Sequence, residues 1–264
     1  MLVTETTLEM KRSEFQRDGL KLSYLDPGGD GKVMVALHGH WMQGMTYAPL
    51  MAALAPKWRV IALDQRGHGY SDHASSYTRA DYLDDLEALF THLRLRGSVV
   101  LLGNSLGGVN AYQFAARHPD QVRALIIEDI GAVMSDDMSF VLPWAGYFYT
   151  RDALSDRIGS RLLPYLQDSF RRTPAGWRLA FEPQDMVLSQ GLLNGDHWQE
   201  WLATSCPALL IRGRQSPLTT QLHFDEMVAR RANTQLKILE AGHVVHFDNP
   251  IGFTEAVLAF LQEL

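Results

Sequence analysis

Gly103-Asn104-Ser105-Leu106-Gly107 is the stretch that most limits what this chain can become, because it fits Gly-x-Ser-x-Gly at a junction between two kinds of segment. Before it runs Val99-Val100-Leu101-Leu102, apolar and partly β-branched, as a strand buried on both faces should be. After it comes a helix-forming segment that opens on two glycines, Gly107 and Gly108, whose missing side chains let the helix lie close to neighbouring strands. A strand, a tight turn and a helix in that order lift the serine hydroxyl to the apex of the turn, with the positive end of the helix beneath it. The five residues alone also occur in ordinary strand-to-helix turns. Their flanks make Ser105 a candidate nucleophile.

The rest of the chain alternates in the same way. Residues 8–13 and 20–25, separated by polar residues and Asp18-Gly19, read as an opening antiparallel hairpin. Short apolar runs follow at 33–37, 60–63, 99–102, 124–127, 208–211 and 236–239. Six strands joined by crossovers predict an α/β fold, a mostly parallel sheet with helices on both faces. The clearest helix spans 79–93, where Tyr82, Leu83, Leu86, Leu89, Phe90 and Leu93 recur at three- and four-residue steps, and Thr78 with Asp81 resembles a capping box. A last helix is expected over 251–261.

The alternation breaks between Ile127 and Ala208, and a structureless loop of that length is implausible. Residues 132–205 are therefore expected to fold as a helical insertion, with 1–131 and 206–264 forming the core. The insertion is 74 of the 264 residues and yet holds 11 of the 26 aromatic side chains. Some of these rings form its own small core. Because it follows a strand C-terminus, where open α/β sheets bind ligands, others are expected to line a pocket over Ser105.

Composition narrows the partners. The net charge of −6 comes with no basic cluster, so neither nucleic acid nor an anionic membrane is an expected partner. No stretch approaches the roughly 20 apolar residues of a membrane span, and the first residues lack the apolar centre of a signal peptide. The single cysteine, Cys206, has no disulfide partner, so a cytoplasmic location is expected. His38 and His40 form a His-x-His, but two histidines do not fill a zinc shell and no further cluster has ligand spacing. No metal or organic cofactor is called for.

Further pieces fall into place around the serine. His38-Gly39-His40-Trp41 follows the third strand, Asp64-Gln65-Arg66-Gly67-His68-Gly69-Tyr70-Ser71-Asp72 the next, and Ala241-Gly242-His243 leads through His246 to Pro250 near the end. With the turn at Ser105, these make the chain resemble the α/β-hydrolase superfamily over nearly its whole length. The resemblance implies an eight-stranded, mostly parallel sheet flanked by helices, a helical lid inserted after the sixth strand, and a Ser, acid, His triad in that chain order. A serine hydroxyl needs a neighbouring base, and among ten histidines His243 matches the family's base; His246 is its rival in the same loop. The backbone N–H groups of His40 and Leu106 take the place of the family's oxyanion hole. Trp41, Trp144 and Tyr147 are the candidate substrate-binding residues.

The acid departs from the commonest pattern. Most relatives carry an aspartate three residues beyond the glycine that ends the penultimate strand. Here that segment reads Gly213-Arg214-Gln215-Ser216-Pro217, with Ser216 in the place, and the next carboxylate is Asp225 in an expected helix. Asp129, 24 residues after Ser105, resembles the acid of a subset of the superfamily that takes it from the sixth strand; a triad is defined by geometry and not by chain position. Glu128 would point to the other side of that strand. The expected activity is hydrolysis of a small, largely apolar carboxylic ester, thioester or lactone through an acyl-enzyme. Carbon–carbon hydrolysis of aromatic ring-fission products is an alternative, as is a degenerate hydrolase that only binds a ligand or a protein.

Overall fold

Apolar runs too short for helices pair edge to edge, and in the computed structural model, which describes residues 10–264, they form one eight-stranded sheet. Its strands are β1 Lys11–Arg17, β2 Leu20–Asp26, β3 Lys32–Leu37, β4 Trp58–Asp64, β5 Val99–Asn104, β6 Val122–Glu128, β7 Ala208–Gly213 and β8 Thr234–Leu239. Their order across the sheet is β1-β2-β4-β3-β5-β6-β7-β8. β1 and β2 form the antiparallel hairpin, β2 also runs antiparallel to β4, and every other pairing is parallel. The hairpin's first strand begins at Lys11; residues 8 and 9 of the expected strand lie outside the described residues.

Alternating side chains of the central strands serve two cores. Val35, Leu37, Leu101, Leu125, Ile127 and Leu210 face one layer, while Met34, Ala36, Val100, Leu102, Ile126 and Ile211 face the other. Helices α2 Arg79–His92 and α3 Leu106–Arg117 cover the first layer, with Leu86, Leu89 and Phe114 fully or almost fully buried. Helix α1 Ala48–Leu54 and the closing helix Pro250–Gln262 cover the second through Leu50, Phe253 and Val257. Each such side chain contributes about 1.5–3 kcal/mol by leaving water. Thr78 caps α2 as its spacing predicts: its hydroxyl accepts from the Asp81 N–H, and the Asp81 carboxylate accepts from the Thr78 N–H.

The stretch between β6 and β7 is mixed rather than wholly helical. Helices Arg151–Ile158 and Pro183–Leu193 accompany a hairpin of Phe170–Thr173 with Gly176–Leu179 and a short pairing of Val133–Met134 with Gly195–Asp196. Val141, Leu154, Leu166, Phe181 and Met186 give it a small core of its own. Trp198 and Trp201, assigned to the insertion from sequence, pack instead with the main core; Trp201 is fully buried and donates its indole N–H to the Met227 carbonyl at 3.2 Å. Among the described residues no helix is long and apolar enough to cross a membrane.

Register brings the functional segments together. Leu37 lies opposite Gly103, Asn104 opposite Glu128 and Glu128 opposite Ile211, so β3, β5, β6 and β7 end side by side. The turn after β5 is closely packed: a Cβ on Gly107 would lie 2.1 Å from the Leu37 carbonyl oxygen, and one on Gly103 2.1 Å from that of Gly107. Backbone cannot step aside as a side chain can. Gly107→Ala should therefore destabilise by an amount at the upper end of about 1–3 kcal/mol, lowering the melting temperature by roughly 5–10 °C in a thermal melt.

Candidate active site

Ser105 occupies a backbone conformation that few side-chain-bearing residues adopt, φ 51° and ψ −117°, between the last residue of β5 and the first of α3. Its N–H donates to the Glu128 carbonyl at 3.1 Å, which ties the turn to the end of β6. Leu106 follows as the first residue of α3, so its N–H belongs to the helix start, where no acceptor four residues back exists. Strained turns of this kind persist only where the surroundings fix them. Here the glycine contacts described above and the Glu128 bond do so.

Asp129, the residue after β6, is likewise at positive φ, 49°, and is completely buried. Burying a carboxylate is costly unless its charge is met by donors. Four meet it: the His243 Nδ1 at 2.8 Å, the Ser216 hydroxyl at 2.5 Å, the Thr219 hydroxyl at 3.1 Å and the Gly213 N–H at 2.9 Å. Facing a carboxylate, the ring carries its proton on Nδ1, which leaves Nε2 with a lone pair. The Asn104 amide donates to the His243 carbonyl at 3.2 Å and holds that loop from the β5 side. Ser216, at the position where the family resemblance leads to an acid, instead donates its hydroxyl to Asp129. Asp225 is exposed on helix Gln221–Arg230 and accepts from the Gln221 amide.

Ser105 and His243 both line a cavity of about 150 Å³, together with His40, Trp41, Met42 and Phe140. Trp144 and Tyr147 do not line it. Trp144 is buried in the core of the insertion, where its ring props Trp41 and Phe140 edge to face at 5.8 Å from each. Tyr147 is exposed, with the Arg178 guanidinium over its ring. The insertion contributes Asp136, Asp137, Met138, Phe140, Tyr165 and Gln190 to the walls instead.

The chain matches the alpha/beta hydrolase family over residues 34–256. It belongs to the α/β-hydrolase family. It is 40% identical over 255 residues to the 2-(acetamidomethylene)succinate hydrolase of Mesorhizobium japonicum, covering 89% of each chain, and 27% identical over 256 residues to the human serine hydrolase BPHL, covering 93% of this chain and 84% of that one. Among solved structures it resembles an E-2-(acetamidomethylene)succinate hydrolase with a TM-score of 0.86 at 24% identity, over 96% of this chain and 100% of that one. A marine microorganism esterase superposes with a TM-score of 0.77 at 23% identity, over 91% of this chain and 99% of that one. This α/β-hydrolase is an enzyme, as are the Mesorhizobium and human hydrolases it resembles.

A second histidine–carboxylate pair lies beside the first. Glu128, fully buried, turns to the other side of its strand as its position predicts, and accepts from both the His246 N–H at 2.9 Å and the His246 Nδ1 at 2.8 Å. The far ring nitrogen of His246 meets the Thr46 hydroxyl at 2.7 Å. Two adjacent residues at the end of β6 thus hold two histidines of a single loop, one from each side. The sequence carries a signal for this second pair, the Glu-Asp step matched to His-x-x-His, although it assigns Glu128 no partner.

The remaining histidines near the turn are structural. His38 donates from Nδ1 to the Gly39 carbonyl at 2.7 Å and accepts at Nε2 from the Gln65 N–H at 3.0 Å, a pattern that only the neutral ring satisfies. His40 shares a hydrogen bond with the Ser189 hydroxyl at 2.9 Å, and Ser189 with the Tyr82 hydroxyl at 2.8 Å, which fastens the insertion to α2. Burial lowers all three of His38, His40 and His68, His38 to about 4. The unfolded chain would bind protons near pH 6.5 that these rings refuse when folded, so their stabilisation is present above that pH and lost as pH falls, for His38 as it approaches 4 and for His40 and His68 in the same direction. Melting temperature measured against pH should drop through that window. A flat profile would mean that the rings protonate in place.

Proposed function

We propose that this α/β-hydrolase is a serine esterase that cleaves a small, largely apolar carboxylic ester, thioester or lactone through an acyl-enzyme. The observation that carries the reading is the 2.8 Å bond from His243 Nδ1 to the buried Asp129, made by a histidine that shares one cavity with Ser105. In the first half-reaction Ser105 Oγ attacks the ester carbonyl while His243 Nε2 takes its proton. The carbonyl π pair moves onto oxygen, where the N–H groups of His40 and Leu106 are the donors that face it. As the tetrahedral species collapses, the C–O bond to the alcohol breaks and His243 returns its proton to the leaving oxygen. Water then repeats the sequence on the acyl-serine, releasing the acid and restoring the hydroxyl. Asp129 keeps the imidazole in the required tautomer and balances its charge while it is protonated.

Trp41 forms part of the acyl wall, and the insertion acts as the lid that completes the cavity. The volume, about 150 Å³, is close to what holds a single benzene-sized group, and this favours acyl chains of a few carbons. The free Cys206 fits a protein that works in the reducing cytoplasm. Amide cleavage is the second reading, favoured by the relative whose name carries an acetamido group.

A fluorophosphonate probe should label the protein once, at Ser105, as read by intact mass and peptide mapping, and Ser105→Ala should abolish the labelling. In a screen of esters graded by acyl length, beside amides and dienone ring-fission substrates, short-chain esters should be the best substrates. Ser105→Ala should lower kcat by roughly 10³–10⁶. Preferential turnover of the dienones would replace esters with carbon–carbon cleavage, and absence of labelling would remove the serine mechanism.

A further inference from the structure

The cavity beside Ser105 has apolar walls and an unusual charge pattern. Trp41, Met42, Ile130, Met138, Phe140 and Leu218 are among its walls, and no lysine or arginine is among the residues that line it. Its acidic side chains are Asp136 and Asp137, and they are not equivalent. Asp137 is exposed, and its carboxylate already accepts from the Ser139 N–H and hydroxyl, both at 2.8 Å. Asp136 is half-buried, and its carboxylate takes part in none of the hydrogen bonds or ion pairs found among the described residues. The backbone on either side of that carboxylate is fixed: the Asp136 N–H donates to Asn194 Oδ1 at 3.0 Å, the Asp136 carbonyl accepts from Asn194 Nδ2 at 2.8 Å, and Gln190 holds Asn194 in turn. Burial raises the acid's pKa, and Asp136 lines the same cavity as Ser105 and His243. The carboxyl group therefore lies within electrostatic reach of the reacting end of the cavity.

A half-buried carboxylate that no protein group meets is an acceptor a ligand can engage as it displaces water from the cavity. Building on the esterase reading, we propose that Asp136 is a specificity-determining residue of the acyl pocket, admitting acyl groups that end in an ammonium or other N–H donor and rejecting those that end in a carboxylate. An N–H donor at the far end of the acyl group supplies a hydrogen bond that no protein group gives the Asp136 carboxylate, and gains from its charge. A second carboxylate meets like charge and finds no cation to receive it. The dicarboxylate in the name of the Mesorhizobium relative is thus a poor fit to this cavity despite the likeness of the chains.

Three ethyl esters of matched length separate these cases in a pH-stat assay: ethyl 4-aminobutyrate, ethyl pentanoate and monoethyl succinate. The wild-type kcat/KM should favour the ammonium ester over the carboxylate ester by roughly tenfold or more. Asp136→Asn should remove most of that preference, and Asp136→Lys should reverse it. Equal wild-type rates for the two charged esters would overturn the proposal, as would a fall of all three esters in step in Asp136→Asn with their ranking kept. A readout that needs no ester turnover accompanies it: butylammonium should protect Ser105 from the fluorophosphonate better than butyrate does, and Asp136→Asn should erase the difference. Labelling without any charge preference refutes the role of Asp136 and leaves the serine mechanism standing. Failure to label Ser105 at all refutes the esterase reading, and this proposal with it.

Discussion

A negative charge buried at the end of β6 organises this molecule. Asp129 has no access to water, and its charge is tolerable only because donors from three separate segments converge on it: Gly213 at the end of β7, Ser216 and Thr219 in the loop beyond, and His243 after β8. Hydrogen bonds to a charged group are each worth about 1.5–3 kcal/mol, enough that losing any one would loosen the loop that supplies it. The same four contacts that stabilise the buried carboxylate also aim the histidine. Stability and the proposed chemistry rest on one set of bonds.

The neighbouring residue doubles the device. Glu128 points to the opposite side of β6 and grips His246, three residues beyond His243, by both backbone and ring. A segment held at two points by Glu128, the last residue of β6, and by Asp129 just beyond it has little freedom to carry His243 away from Ser105. Removing a partner from a buried pair of this kind typically costs about 3–5 kcal/mol, so the second pair also secures the fold. The Ser105 N–H bonds to the Glu128 carbonyl, which brings the nucleophile's turn into the same framework.

Much of this arrangement is legible in the amino-acid sequence. The turn at Ser105 is a local pattern whose glycines answer to specific close approaches, and the central strands are continuous apolar runs because both faces of the sheet are covered. The Thr78–Asp81 cap is a four-residue signal that depends on no tertiary contact. Asp129 is legible through a gap elsewhere, since Ser216 occupies the usual acid position and leaves a histidine without a partner. The insertion is harder. Its hairpin, Phe170–Thr173 with Gly176–Leu179, carries three arginines and lacks the alternation that marks a strand with one buried face. Trp144 and Tyr147 share a composition with Trp41 but not its position; which ring faces the cavity depends on how Trp41, Phe140 and Trp144 pack around one another, and aromatic content cannot supply that. Asp136 is inconspicuous for the same reason, as an acid in a polar stretch whose folding back over the cavity leaves no local signature.

Steady-state kcat/KM of Asp129→Asn tests directly whether the acid partner of His243 stands just past the end of β6 rather than in the loop after β7. An amide at 129 keeps the size of the side chain but leaves the imidazole in the wrong tautomer and its developing charge unbalanced. By analogy with serine proteases the loss should be roughly 10⁴-fold, with Asp225→Asn close to wild type. Near-normal turnover in Asp129→Asn, with collapse in Asp225→Asn, would contradict it.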